Sequence, residues 1–318
     1  MPACLRSVTI LMAAIVCFGL ATPVAHATFP GRNGRISMTE LVHETGVGMV
    51  RRMRTLRLDG TEGELKPNDG RREKERFGAT WSPGGGRVAF TRSGGGDLDV
   101  WVMRESGRNP TRFTTSPADD VDPTWSPNGR RIAFVRETSR RDRLVIGRVS
   151  GGPKRVLRLD LRFLENPTWS PDGRLIAFQA WVRRAFAIFT VRPDGSHLRR
   201  LTSGGRPSEH SPSWAPRGRF IAYTSQRRDF AERIFVMRRN GSDEHQIRTG
   251  VPCDDECDFD QPIFSPNGRL LVFDVADEGE DWSYRVIVVR RGTTTHRTLI
   301  DAPLDARSVI LEDWEPVR

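Results

Sequence analysis

Short apolar runs recur along this chain, separated by polar punctuation rich in Gly and Pro. They include Val88-Ala89-Phe90, Ile132-Ala133-Phe134, Leu175-Ile176-Ala177-Phe178, Phe220-Ile221-Ala222-Tyr223 and Leu270-Leu271-Val272-Phe273. Further apolar runs follow each of these, such as Val100-Trp101-Val102-Met103 and Ile234-Phe235-Val236-Met237. Runs this short, rich in β-branched and aromatic residues and bounded by turn formers, predict strands. No segment is long enough and periodic enough to require a helix.

The punctuation is itself periodic. Trp81-Ser82-Pro83-Gly84 is followed by Trp125-Ser126-Pro127-Asn128-Gly129, Trp169-Ser170-Pro171-Asp172-Gly173, Trp214-Ala215-Pro216-Arg217-Gly218 and Phe264-Ser265-Pro266-Asn267-Gly268. The aromatic positions lie 44, 44, 45 and 50 residues apart. Pro presets φ for the turn, and Gly accepts the left-handed conformation that closes it. A second turn, Pro193-Asp194-Gly195 or Asn240-Gly241, precedes a fourth and more polar strand such as Leu198 to Thr202. Four strands per period of this length describe one blade of a β-propeller.

The repeats resemble the TolB-type propeller repeat, with its W-S-P-D-G core followed by an I-A-F strand. The resemblance covers nearly all of the chain after the first 27 residues and implies an all-β, six-bladed β-propeller of four-stranded antiparallel blades over residues 28–318. Five repeats are explicit, and the ends supply the sixth. Gly34-Arg35-Ile36 reads as a turn and second strand without an inner strand, and Asp313-Trp314-Glu315-Pro316 as an inner strand without a turn. The C-terminal strand is therefore expected to complete the first blade and close the ring. The recurring Trp residues are expected to pack between blades. The additional N-terminal domain of TolB is not expected here, so its envelope role is not carried over whole.

The first 27 residues read as a cleaved secretory signal: Arg6, an apolar run from Val8 to Ala21, then Ala25-His26-Ala27 before Thr28. No later stretch is apolar enough to cross a membrane. An exported chain, periplasmic or extracellular, makes the remaining pair Cys253 and Cys257 read as a disulfide closing a short loop. Lys and Arg total 50 against 40 Asp and Glu, for a net charge of +10. A basic surface attracts anionic partners, and export argues against nucleic acid.

The strand order puts the Ser-Pro-x-Gly turns on one face and both variable loop sets on the other. Variable loops on a rigid scaffold are the usual seat of function. The links entering each inner strand are acidic: Asp120 and Asp122; Glu165; Glu209 and His210; Asp258 and Asp260. The outer loops of three successive blades carry Arg140 and Arg141, Arg183 and Arg184, and Arg227 and Arg228. The expectation is an acidic centre flanked by a basic arc, forming a docking surface for a protein or an anionic envelope component on a monomeric, non-enzymatic module. The alternative is a hydrolase or lyase acting on a polysaccharide or peptide at the channel mouth, with His210 as base and Glu165 or Asp260 orienting it. No cofactor is expected; Ca²⁺ at the acidic segment 254–260 is the alternative, because its carboxylates are hard oxygen donors. Trp181 and Trp282 stand outside the repeat set and are candidates for stacking on a sugar.

Overall fold

The computed structural model describes residues 31–44, 48–70, 76–93, 96–203, 207–226, 231–252, 257–277, 283–303 and 308–317. The signal at 1–27, Arg227, Arg228, Cys253, the acids at 254–256 and Trp282 lie outside the described residues. Within them the chain forms 24 strands arranged as six four-stranded antiparallel sheets. In five sheets the strands follow chain order from the axis outward, as in β4 (Arg76–Trp81), β5 (Arg87–Ser93), β6 (Leu98–Arg104) and β7 (Thr111–Arg112). The other inner strands are β8 (Asp120–Trp125), β12 (Arg162–Trp169), β16 (Ser208–Trp214), β20 (Cys257–Phe264) and β24 (Ser308–Val317). Each packs on the next, and β24 returns to β4, so the ring is closed.

Closure comes from the C-terminus. Strand β24 pairs with β1 (Arg32–Glu44), placing Trp314 opposite Ile36, and completes the sheet that continues through β2 (Gly48–Leu56) and β3 (Glu62–Glu64). The seam is held by directed contacts. Asp313 Oδ2 accepts the Trp81 amide at 2.8 Å, and the Tyr284 hydroxyl donates to the Val309 carbonyl at 2.8 Å. Arg35 pairs with Glu315 at 2.9 Å and with Glu105 of the next blade at 3.0 Å.

The repeated aromatics are core, as the sequence predicts. Trp81, Trp125, Trp169, Trp214, Trp314 and Phe264 are all at most 2% exposed. The indoles of Trp125 and Trp214 donate to the Thr80 and Thr168 carbonyls of the preceding blade, each at 3.2 Å. Beneath them the tight turns nest. In each, the Gly amide bonds back across the turn, as Gly173 does to the Ser170 carbonyl at 2.8 Å. Gly173 has φ +69, and a Cβ there would stand 3.2 Å from Pro127 of the neighbouring turn. The backbone conformation therefore calls for glycine, and the close proline adds to the preference.

The outer strands differ from expectation in length. The predicted strand Leu198 to Thr202 pairs only through β15 (Arg199–Arg200), and β19 is His245–Gln246. Both are exposed and polar, which suits an edge that must not recruit another sheet.

Candidate functional site

Every acidic or histidine candidate of the central set falls within an inner strand: Asp120 and Asp122 in β8, Glu165 in β12, Glu209 and His210 in β16, Asp258 and Asp260 in β20. The links were the expected location; the strands begin earlier than the sequence suggests. These four strands and β4 each carry a β-bulge three residues before the aromatic, where Gly78, Asp122, Asn166, Ser211 and Gln261 adopt φ of 70, 52, 54, 53 and 54. A bulge leaves one residue out of the ladder and re-aims its side chain. Here the freed groups bond between blades. Asn166 donates its amide to Asp122 Oδ2 at 3.3 Å, Ser211 to Gln179 Oε1 at 2.8 Å, and Gly78 to Glu312 Oε1 at 3.1 Å. The Leu311 amide donates to Gln261 Oε1. The result is a belt of polar contacts linking successive inner strands.

Most of the carboxylates are consumed by this framework. Asp120 takes a bidentate pair from Arg136 at 2.7 and 2.9 Å. Glu209 accepts from the Thr202 hydroxyl at 3.2 Å, and Asp258 from the Glu232 amide at 2.7 Å. Glu165 accepts from Gln179 Nε2 at 2.9 Å, and burial raises its carboxyl to about 7. Burial, then the nearby Glu165, pushes Asp122 well above the usual carboxylate range. Burial likewise lifts Glu312 to about 8 and raises Asp274 strongly. One oxygen on each of Asp122, Asp274 and Glu312 is buried without a partner. Desolvation favours the uncharged acid in all three.

His210 gathers a charged cluster in the belt. Its Nε2 lies 3.0 Å from Glu232 Oε1 and its Nδ1 3.4 Å from Asp260 Oδ1. Burial pulls the imidazole down, but Glu232 and Asp260 outweigh it and hold the ring well above its ordinary 6.5. Burial likewise works against the Asp260 charge, and His210 overcomes it, setting that carboxyl at about 2. The arrangement is an imidazolium between two carboxylates. Of the two neighbours expected for His210, Asp260 lies beside it, Glu165 turns to Gln179, and Glu232 supplies the second carboxylate. The three side chains bring ligand atoms within 4.8 Å of one another, a set able to hold a divalent cation in exchange for the ring proton. Asp258 and Asp260 of the segment proposed for Ca²⁺ already accept protein donors.

The basic candidates lie elsewhere. Arg140 and Arg141 are in the loop between β9 (Arg131–Arg136) and β10 (Arg143–Arg148), where Arg141 pairs with Asp160. Arg183 and Arg184 form the two-residue connection between β13 (Ile176–Val182) and β14 (Ala185–Val191), with φ of 50 and 77. Arg140, Arg183 and Arg184 are exposed. Sequence reasoning missed Gln179, Glu232, Gln261, Asp274 and Glu312. A signal for the bulge existed in Asp122-Pro123, Asn166-Pro167, Ser211-Pro212 and Gln261-Pro262, a polar-Pro pair at one repeat position. No repeat pattern marks Glu232 or Asp274, which reach the cluster from second and third strands.

Comparison with known proteins agrees with this architecture. A family described as the TolB β-propeller domain matches residues 70–252. The Tol-Pal system protein TolB of Anaeromyxobacter dehalogenans (strain 2CP-C) is 44% identical over 52 residues, covering 16% of this chain and 12% of that relative's length. Among solved structures, TolB from Acinetobacter baumannii superposes with a TM-score of 0.69 at 15% identity, over 96% of this chain and 71% of that one. A chain of a nidogen/laminin complex gives 0.61 at 13% identity, over 88% of this chain and 100% of that one. Identities this low speak to the fold alone.

Proposed function

The chain belongs to the TolB β-propeller domain family, and from that premise we propose that it is an exported interaction module that docks a protein partner in the cell envelope or outside the cell through its loop-bearing face. The observation that carries this reading is the sorting of charge. The belt carboxylates are taken up by protein donors, Asp120 and Glu165 within their own blades and Asp122 and Asp258 by a neighbouring blade, while Arg140, Arg183 and Arg184 are exposed on the loops. A buried, mutually bonded belt stiffens the ring, and exposed guanidinium groups suit recognition of carboxylates. Arg227 and Arg228 extend the arc by sequence equivalence. The proposed signal at 1–27 supports export, and the Cys253–Cys257 pair is read as oxidised on the same ground.

The test is partner capture at low and moderate salt. A protein with Arg140, Arg141, Arg183, Arg184, Arg227 and Arg228 changed to Ala should lose a partner that the parent retains. The parent's binding should weaken as salt rises. Equal capture by both proteins removes the arginine arc from the account.

The His210 cluster favours a second reading, a hydrolase or lyase acting on a polysaccharide or peptide. Held protonated between Asp260 and Glu232, His210 would act as a general acid toward a substrate that reaches it. Its test is turnover of such substrates that His210→Ala abolishes without lowering the melt. Turnover unchanged in that variant sets this reading aside.

A further inference from the structure

One patch of the loop-bearing face combines exposed aromatic side chains, strained backbone and unshared positive charge. Phe163 is 58% exposed and Trp181 40% exposed, among the most exposed large apolar side chains of the described residues. They stand within one residue of each other across β12 and β13, because Trp181 pairs directly with Arg162. Phe163 is the extra residue of a second bulge at the start of β12, with φ 47. A bulky residue in that region is a genuine outlier. Its conformation is enforced from the neighbouring blade: Asp142 Oδ2 accepts the Leu164 amide at 3.2 Å, and the same carboxylate accepts the Phe163 amide. Trp181 is propped from the other side by Phe186, with ring centroids 5.2 Å apart at 82°.

The adjoining turn is also strained. A two-residue connection with positive φ at both positions favours Asn-Gly, yet here it is Arg183-Arg184. Three non-glycine residues in the left-handed region at one corner of the blade, all with exposed side chains, contribute nothing to the core. Strain of this kind persists where the surroundings over-determine it and tends to mark functional sites.

We propose that Phe163 and Trp181, ringed by Arg140, Arg162, Arg183 and Arg184, form the docking site for an extended acidic peptide segment of the partner. This inference rests on the reading of the loop-bearing face as the docking face. Trp and Arg are the residues in which interface energy concentrates. The two rings take apolar side chains of the segment, and the planar guanidinium groups take its carboxylates. The phenyl ring of Phe163 has no polar handle, which favours an apolar side chain over a hydroxylated sugar as its partner.

The probe is a fluorescently labelled synthetic peptide alternating Glu with Leu and Phe, titrated by anisotropy against the purified protein. A Lys-for-Glu version and a polyuronate are run beside it. The acidic peptide should bind with an affinity that falls as salt rises, and the Lys version should not bind. Phe163→Gly and Trp181→Ser should each weaken binding about tenfold or more, with no fall in the melting temperature of Phe163→Gly, where glycine relieves the strain. The double change Arg183→Asn and Arg184→Gly, which suits the turn, should weaken binding and flatten its salt dependence. Unchanged affinity in Phe163→Gly and Trp181→Ser overturns the proposal, as does failure of the parent to bind the peptide. Preference for the polyuronate overturns it in favour of a sugar site. If Phe163→Gly and Trp181→Ser still capture the envelope partner and the six-arginine variant does not, this inference falls and the broader docking reading stands. If neither the parent nor any variant captures a partner, both fall.

Discussion

The two faces of this propeller are built from the same repeats by opposite rules. On the turn-bearing face, Gly129, Gly173, Gly218 and Gly268 each supply the positive φ their turn requires, and each packs on the proline of the turn before it. Among the described residues, the non-glycine positive φ of that face is confined to Asn109, His197 and Asp243, types that tolerate it, whereas on the loop-bearing side it falls also to Phe163, Arg183, Arg184, Ser211 and Gln261, for which it is costly. One face is locally consistent and interchangeable from blade to blade; the other carries conflict that the ring has to hold in place. Local conflict inside a well-satisfied scaffold is where function is expected. Here it divides into an inner belt that ties blades together and an outer corner that displays side chains to solvent.

Four perturbations break or sharpen this contrast, in decreasing order of effect. Removing residues 308–318 deletes the inner strand of the first blade and the acceptor of the Trp81 amide. The cooperative melt followed by circular dichroism should be lost; an unchanged transition contradicts closure by β24. Trp125→Ala empties a site only 1% exposed and removes the bond to the Thr80 carbonyl, at a cost of about 3–5 kcal/mol in denaturant unfolding. Next comes Glu312→Gln, in the belt. The Glu312 carboxyl is raised in the fold from 4.5 to about 8, so the folded chain prefers it protonated. Its contribution is therefore most favourable below pH 4.5 and is lost as pH rises toward 8. The Gln variant should lose less stability over that interval than the parent, by about 2–4 kcal/mol; identical pH profiles refute a neutral acid at the seam. The smallest effect is expected from Arg183→Asn with Arg184→Gly, which should raise stability by about 1–2 kcal/mol by relieving the turn. A loss of stability there shows that the arginines serve the fold.

His210 runs in the same direction as Glu312 in pH, from a higher starting value, and Asp260 runs the other way. Its ring is held above 6.5 in the fold, so its contribution is complete below 6.5 and lost as pH rises through the folded value. Asp260, set at about 2, contributes above 3.8 and loses that contribution as pH falls through about 2. The imidazolium cluster is consequently intact across neutral pH.

The blades were legible because their signals are local and repeated. Trp-Ser-Pro-x-Gly states a strand end and a turn by itself, and Asp313-Trp314 without a turn states a blade cut in two. The site was less legible because its contacts cross between blades. Asp260 and Glu165 are both offered by the sequence as partners of His210, and the contact is with Asp260. Glu232 is not offered, because it reaches His210 from a third strand, β18 (Glu232–Arg238), where the repeat carries no constraint. The burial of Asp122 and Glu165 was missed for a related reason. Composition shows acids near a channel, but only the bulge, which turns Asn166 and Ser211 toward neighbouring blades, shows that the acids serve the framework. Phe163 reads as an ordinary strand residue until the Asp142 clamp and its φ are known.

The central claim is that partner recognition belongs to the loop-bearing face and not to positive charge in general. The turn-bearing face offers the control, because Arg130, Arg174, Arg217, Arg219 and Arg269 are exposed there. The decisive measurement is capture of the envelope partner by two proteins of matched melting temperature, one with the loop-face arginines changed to Ala and one with these five changed to Ala. The account predicts that the first loses the partner and the second keeps it at parental affinity. Equal loss in both contradicts it, because binding would then follow net charge and the position of the arginines on the loop-bearing face would carry no recognition.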